Sequence, residues 1–208
     1  DRWELFHLDA DFSETNDLAA EKPELLEELK ALWWKEAEAN HVLPLDDRFG
    51  PRFAENAKRY HGARTKFTLH AGMGHVPTDV APDVRSRSYT IEADVSVPAG
   101  GAEGVLIAHG DATSGYSLYM RDGKLAHVLN IGGTQTVVTS DSPVPTGDRK
   151  LGLRVTRVTR IVPPQFGVGQ GTSRYTLLID GKEAGSVDTP LGFVTLISWS
   201  GLDIGFDR

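Results

Sequence analysis

Residues 89–97 read YTIEADVSV: Tyr89, Ile91, Ala93, Val95 and Val97 alternate with Thr90, Glu92, Asp94 and Ser96. Period-two alternation places one set of side chains on each face of a strand, one face to be buried and one to be wet. Such a strand needs hydrogen-bonded neighbours and a second layer against its apolar face. The neighbours are written downstream. GVLIAHG (104–110) is a short apolar run between glycines. GYSLYMRDGKLAHVL (115–129) and RYTLLIDGKEAGSV (174–187) each carry a central Asp-Gly, at 122–123 and 180–181. Asp-Gly between alternating apolar residues signals a two-residue hairpin. TQTVVTS (134–140) and RKLGLRVTRVTR (149–160) fill the interval. About seven to nine strands are expected from this spacing. Glycine and proline punctuate them, with almost no helical pattern. The expected fold is mainly β: an antiparallel β-sandwich over residues 49–208.

The first 48 residues obey different physics. They hold 14 acidic and 5 basic residues, a balance of −9, whereas residues 49–208 balance at +2. This step predicts a boundary near Asp46-Asp47-Arg48. Residues 1–48 are expected to contain a strand at about 3–8 and a helix at about 23–40. Pro23 suits the first helical position, and Glu24, Glu27 and Glu28 favour the positive end of the helix dipole. Leu25, Leu29, Leu32 and Trp33 recur at i, i+4, i+7 and i+8, the spacing of one apolar face. Asn40 and Pro44 supply the stop. One strand and one amphipathic helix are too little to cover that face, so a partner is expected.

Composition removes several function classes. The chain of 208 residues has net charge −7, which argues against nucleic acid as a partner, since phosphate binding needs a basic patch. No apolar run approaches the roughly 20 residues that span a bilayer. With no cysteine, disulfides, thiolate metal sites and a cysteine nucleophile are all excluded. Residues 1–29 show neither a basic n-region nor an apolar h-region, so they do not read as a signal peptide.

The stretch WELFHLDADFSETNDLAAEKPELLEELKALWWKEAEANHVLPLDDR (3–48) resembles the C-terminal end of bacterial arylsulfatases of the sulfatase superfamily. The resemblance lies in Trp3–Leu8, Asp11–Ala19, Pro23-Glu24 and Pro44–Arg48. RTKFTLHAGMGHVP (64–77), IEADVSVPAGGAEGVLIAHG (91–110) and LLIDGKEAGSV (177–187) look like the β-sandwich that some members carry afterwards, lectin-like or jelly-roll-like in kind. The resemblance implies sulfate-ester hydrolysis by a whole enzyme. Its nucleophile would be a formylglycine made in a Cys/Ser-x-Pro-x-Arg motif, beside a divalent cation, usually calcium. Neither form of the motif occurs in this sequence. The family's catalytic and metal-ligand segments lie upstream of the part matched, so no catalytic or metal residue is carried over. The expectation is therefore a chain that is the tail of a larger enzyme, itself without cofactor and without turnover. The compartment, cytoplasmic or periplasmic, is left open. The family's sandwich would also continue past Asp203-Ile204-Gly205-Phe206 into at least one more strand.

Several residue groups are candidates for a site. Glu92 and Asp94 are two apart on one strand face, as in sandwich glycosidases, but Ser96 and Val97 stand where a further Glu would be needed. They read as a wet face. His7, His41, His61, His70, His75, His109 and His127 contain no i, i+4 zinc pair. They read as surface or hydrogen-bonded residues, with a loop metal site near His70, His75 or His109–Asp111 as the lesser alternative. GVGQG (167–171) precedes a strand, so it reads as a connector and not a phosphate cradle. Trp33 reads as core, and Trp34 as margin or as a docking feature. Arg154, Arg157 and Arg160 could attract sulfated glycan, yet a solvated strand edge is the plainer role. The leading expectation is thus a structural or substrate-access portion of a sulfatase, partnered by its catalytic region. The alternatives are a module binding sulfated carbohydrate and a homo-oligomerisation domain.

Overall fold

Strand periodicity and hairpin chemistry together account for most of the architecture. In the computed structural model, which describes residues 2–48, 55, 58–159, 171–193 and 197–207, the chain divides into two compact units, 1–48 and 49–208. The second unit is a mainly β structure of two antiparallel sheets. Its strands are β1 (Tyr89–Val97), β2 (Gly104–Gly110), β3 (Ser114–Arg121), β4 (Lys124–Ile131), β5 (Thr134–Thr139), β6 (Gly147–Arg157), β7 (Ser173–Ile179), β8 (Lys182–Thr189) and β9 (Leu202–Ile204). One sheet has the order β1-β6-β7-β8 and the other β5-β4-β3-β2-β9.

Both Asp-Gly pairs turn hairpins. Asp122 and Gly123 have φ of 53° and 70°, and Asp180 and Gly181 have 50° and 77°. Positive φ at both central residues is the geometry whose twist matches the flanking strands. Consecutive strands therefore run as two meanders, β2 to β5 and β6 to β8. Two long-range pairings complete the sheets. β1 lies beside β6, with Ile91 opposite Leu153, and β9 lies beside β2, with Leu202 opposite His109. β9 covers only residues 107–109 of β2.

The inner faces supply one core. Leu118, Leu125, Leu151, Leu153, Leu177 and Leu202 are fully buried in it, joined by Tyr116, Leu129, Val155 and Tyr175. The alternation in β1 lands as its spelling requires: Tyr89, Ile91 and Val95 lie against the core and Glu92 and Asp94 are exposed. On the outer face of the four-stranded sheet, charges pair across strands: Lys150 with Asp94 at 2.6 Å, Arg154 with Glu183 at 3.3 Å and Arg174 with Asp188 at 2.7 Å. Exposed pairs of this kind add little stability, but they keep the face soluble.

In the first unit, helix α1 runs Pro23–Ala39 with Pro at its start and Asn40 as its C-terminal cap. The Asn40 side-chain amide donates to the Glu36 carbonyl at 2.9 Å. His41 then takes a left-handed φ of 56° and ends the helix. The strand expected at 3–8 is not formed. Residues 2–7 join no ladder, because their backbone is held by other means. The Leu5 N–H donates to the Asp17 carboxylate at 3.0 Å, and the Leu5 carbonyl accepts from Leu18 N–H at 2.8 Å. The leucines of the expected apolar face of α1 stay open, and the covered stripe is the one beside it. Leu26, Trp33 and Ala37 form its covered stripe, and Trp3 meets Trp33 edge-on at 5.7 Å. The neighbouring stripe, Leu25, Leu29 and Leu32, is 41%, 43% and 48% exposed. Trp33 sits at the boundary of the two stripes, and a helix with leucines on both can cover only the one its short unit reaches.

Candidate functional site

A cleft of about 570 Å³ opens in the segment that precedes β1. Its volume falls in the range of small-ligand sites. Leu69, Met73, Val76, Val80 and Pro82 line its apolar part, and Tyr60, Arg64 and Lys66 stand at its exposed margin. The walls are tied to the sandwich. Leu69 and Val76 pack on the core, and Val76 exchanges backbone hydrogen bonds with Leu202 of β9, at 2.8 and 2.9 Å. His61 Nε2 donates to the carbonyl of buried Ala81 at 3.0 Å. The His61 ring meets Phe67 edge-on at 5.1 Å, and the Arg64 guanidinium lies over the same ring at 5.7 Å. Phe67 is thereby fixed from two sides, and Arg64 is drawn to the cleft by a cation–π contact. The lining contains no Asp or Glu.

A polar cluster sits at the β2–β9 edge. His75 Nδ1 donates to Asp203 at 2.9 Å, and Gly201 makes room for that ring. A Cβ at Gly201 would lie 2.7 Å from His75 Nε2 and 2.4 Å from the Val76 carbonyl. Thr78 Oγ1 donates to the Ser198 carbonyl at 2.7 Å, so at the 3.4 Å contact between His109 Nε2 and Thr78 Oγ1 the imidazole is the donor. Asp111 accepts from the hydroxyls of Ser198, Thr113 and Ser200, and from the Thr113 and Ser114 N–H groups. These donors, that of Ser198 first, hold its carboxyl far below the ordinary range. Burial, with the nearby His75, pushes His109 down to about 4 against the opposing pull of Asp203, and burial does the same to His127. Ser198 and Thr78 thus spend their hydroxyl protons on Asp111 and on a carbonyl. Neither is aimed at an imidazole as a nucleophile would be. The cluster works as a latch that fastens β9 to β2 and to residues 75–78.

The candidate residues of the sequence are dispersed. Glu92 and Asp94 lie on the wet face of β1, with Asp94 paired to Lys150. Arg154 pairs with Glu183, and the Arg157 N–H donates to Ser88. Arg160 and residues 167–170 of the GVGQG stretch lie outside the described residues. His7 and His41 are exposed in the first unit. His61 enters the cleft wall, and His75 and His109 enter the latch. His127 is buried, donates from Nδ1 to the Ser117 carbonyl at 3.0 Å and stacks on Tyr175 at 5.2 Å. Among the described residues, no three His, Asp or Glu side chains converge as metal ligands would. Trp34 meets Trp33 edge-on at 4.7 Å and is 48% exposed.

The cleft was not evident from the sequence, because residues 58–82 have neither helical nor strand periodicity over a useful length. A weak signal is present: Tyr60, Arg64, Lys66 and Phe67 place two cations and two aromatics within eight residues. The chain matches no protein-family model and no curated protein sequence.

Proposed function

We propose that this chain is the C-terminal portion of an arylsulfatase-type sulfate-ester hydrolase. Residues 1–48 would lie against the catalytic region of that enzyme, and the β-sandwich would serve as an appended structural or substrate-access module. The reading rests on the residues of 3–48 that resemble the family, and one observation carries it in the structure. The Leu25–Leu29–Leu32 stripe of α1 is open, while the unit that bears it buries its other stripe. Fully covering a leucine stabilises by roughly 1.5–3 kcal/mol, so three leucines left this open favour an interface.

The reading frame immediately upstream of Asp1 tests this most directly. A Cys/Ser-x-Pro-x-Arg motif in frame is expected, and a frame without one removes the hydrolase reading. Purified chain is expected to release no phenol from an aryl sulfate. Turnover that survives removal of contaminating enzyme would show that a catalytic centre lies within these residues.

A further inference from the structure

From the lining of the cleft at residues 60–82 we infer that it binds a small ring bearing a sulfate or phosphate ester. The inference stands on the cleft alone and does not need the hydrolase reading. Three observations select this ligand chemistry. The apolar floor of Leu69, Met73, Val76, Val80 and Pro82 takes a ring or hydrocarbon body, and rejects a fully hydrated ion. Arg64 and Lys66 stand at the rim with no carboxylate beside them in the lining. Neither takes part in any of the ion pairs among the described residues. Two cations without a carboxylate partner at the mouth of an apolar cleft suit an anion that stays partly solvated while its body is buried. Arg64 offers the forked donors that fit an oxyanion, and Lys66 adds a point charge. Arg59, whose guanidinium lies over the half-exposed ring of Tyr60 at 5.9 Å, brings a further positive charge beside the rim.

The chain as a whole is acidic, so its overall field repels such a ligand. Attraction must therefore come from the local rim, and it will weaken with salt. The walls need little rearrangement, since His61 is tied to Ala81 and Phe67 is held by His61 and Arg64. That lowers the ordering cost of binding.

Titration calorimetry on the 208-residue chain, with phenyl sulfate, phenyl phosphate, glucose 6-sulfate, phenol and inorganic sulfate as probes, tests the inference. Phenyl sulfate or phenyl phosphate should bind about ten-fold more tightly than phenol or inorganic sulfate, because only the esters engage both floor and rim. The tighter of the two esters identifies the oxyanion. Glucose 6-sulfate binding as well as the aryl ester assigns saccharide esters, and its failure assigns aryl esters. Arg64→Gln and Lys66→Gln should each lower ester affinity about five- to ten-fold; Lys66→Gln should leave phenol unchanged, and Arg64→Gln, which also takes the guanidinium from over Phe67, should weaken phenol by less than it weakens the esters. Arg121→Gln, which removes an exposed cation from the β3–β4 hairpin, should change neither. Equal binding of phenol and its esters, no binding of any ester, or full ester affinity in Arg64→Gln/Lys66→Gln overturns the inference. An upstream frame without the sulfatase motif would leave these binding results untouched, so the two readings fail separately.

Discussion

Leu118, Leu125, Leu151, Leu153, Leu177 and Leu202 of the sandwich are fully buried, whereas Leu25, Leu29 and Leu32 of α1 are 41–48% exposed. The same residue type meets opposite fates in one chain. In the sandwich, two sheets each present a face to the other, so every inward leucine finds a partner from the facing layer. In residues 1–48 one helix meets a short extended segment at Trp3 and Trp33, and only the stripe of Leu26, Trp33 and Ala37 is covered. Among the described residues of that unit, only Leu5 and Ala37 are buried hydrophobics. The difference teaches that the sandwich has a core of its own, while the helical unit has an apolar surface in excess of what it can cover.

That contrast can be broken most forcefully at the centre of the sandwich. Leu153→Ala should destabilise the sandwich by about 3 kcal/mol, read as a lower urea midpoint with an unchanged slope, because a lost leucine at full burial leaves a cavity. A loss under 1 kcal/mol would mean that the two sheets are not closely packed there. Acid should act on nearly the same scale. His109 and His127 are held at about 4 against an ordinary 6.5, so the folded state refuses protons that the unfolded chain accepts. Their contribution is therefore complete above pH 6.5 and lost as pH falls toward 4. It amounts to no more than about 3 kcal/mol for each imidazole at pH 7. His127→Gln should flatten the stability profile between those pH values, and an equally steep profile in the variant would place the titrating group elsewhere.

Gly201→Ala should cost about 2 kcal/mol, since Gly201 has φ 76° and the added methyl meets the Val76 carbonyl and the His75 ring. Faster hydrogen exchange confined to β9 and residues 75–78 would locate the damage in the latch. Gly123→Ala should cost about 1 kcal/mol through the positive φ of the hairpin alone, with nothing near enough to clash. Leu29→Gln marks the small end of the series. At this exposed position the change should stay within about 0.5 kcal/mol by helical circular dichroism on heating. A loss as large as that of Leu153→Ala would show that the open stripe of α1 is covered in solution.

Legibility followed the range over which each feature is decided. The two Asp-Gly hairpins, the alternation of β1 and the limits of α1 depend on a few neighbouring residues, whose spacing carries φ preferences and burial directly. His127 was readable in principle as well, because it is in phase with Leu125 and Leu129 on β4, but its type argued for the surface. His109, in phase with Ile107 on β2, is the same case. The strand expected at 3–8 failed for the converse reason. Its residues have strand propensity, yet a strand is completed only by a neighbour, and here the Asp17 carboxylate and Leu18 take the hydrogen bonds of Leu5.

Unaided, the amino-acid order determined that the segments at 89–140, 149–159 and 174–187 would form antiparallel strands and that about 23–40 would form a helix with an apolar face its own unit is too small to cover. Tertiary structure alone decided that β1 would join β6, that β9 would be fastened to β2 by His75, Asp203 and Thr78, and that Tyr60, Arg64, Lys66 and Phe67 would border a cleft. Local periodicity sets the shape of each segment. Which distant segments meet depends on whole faces being buried together, a quantity no short window of sequence contains.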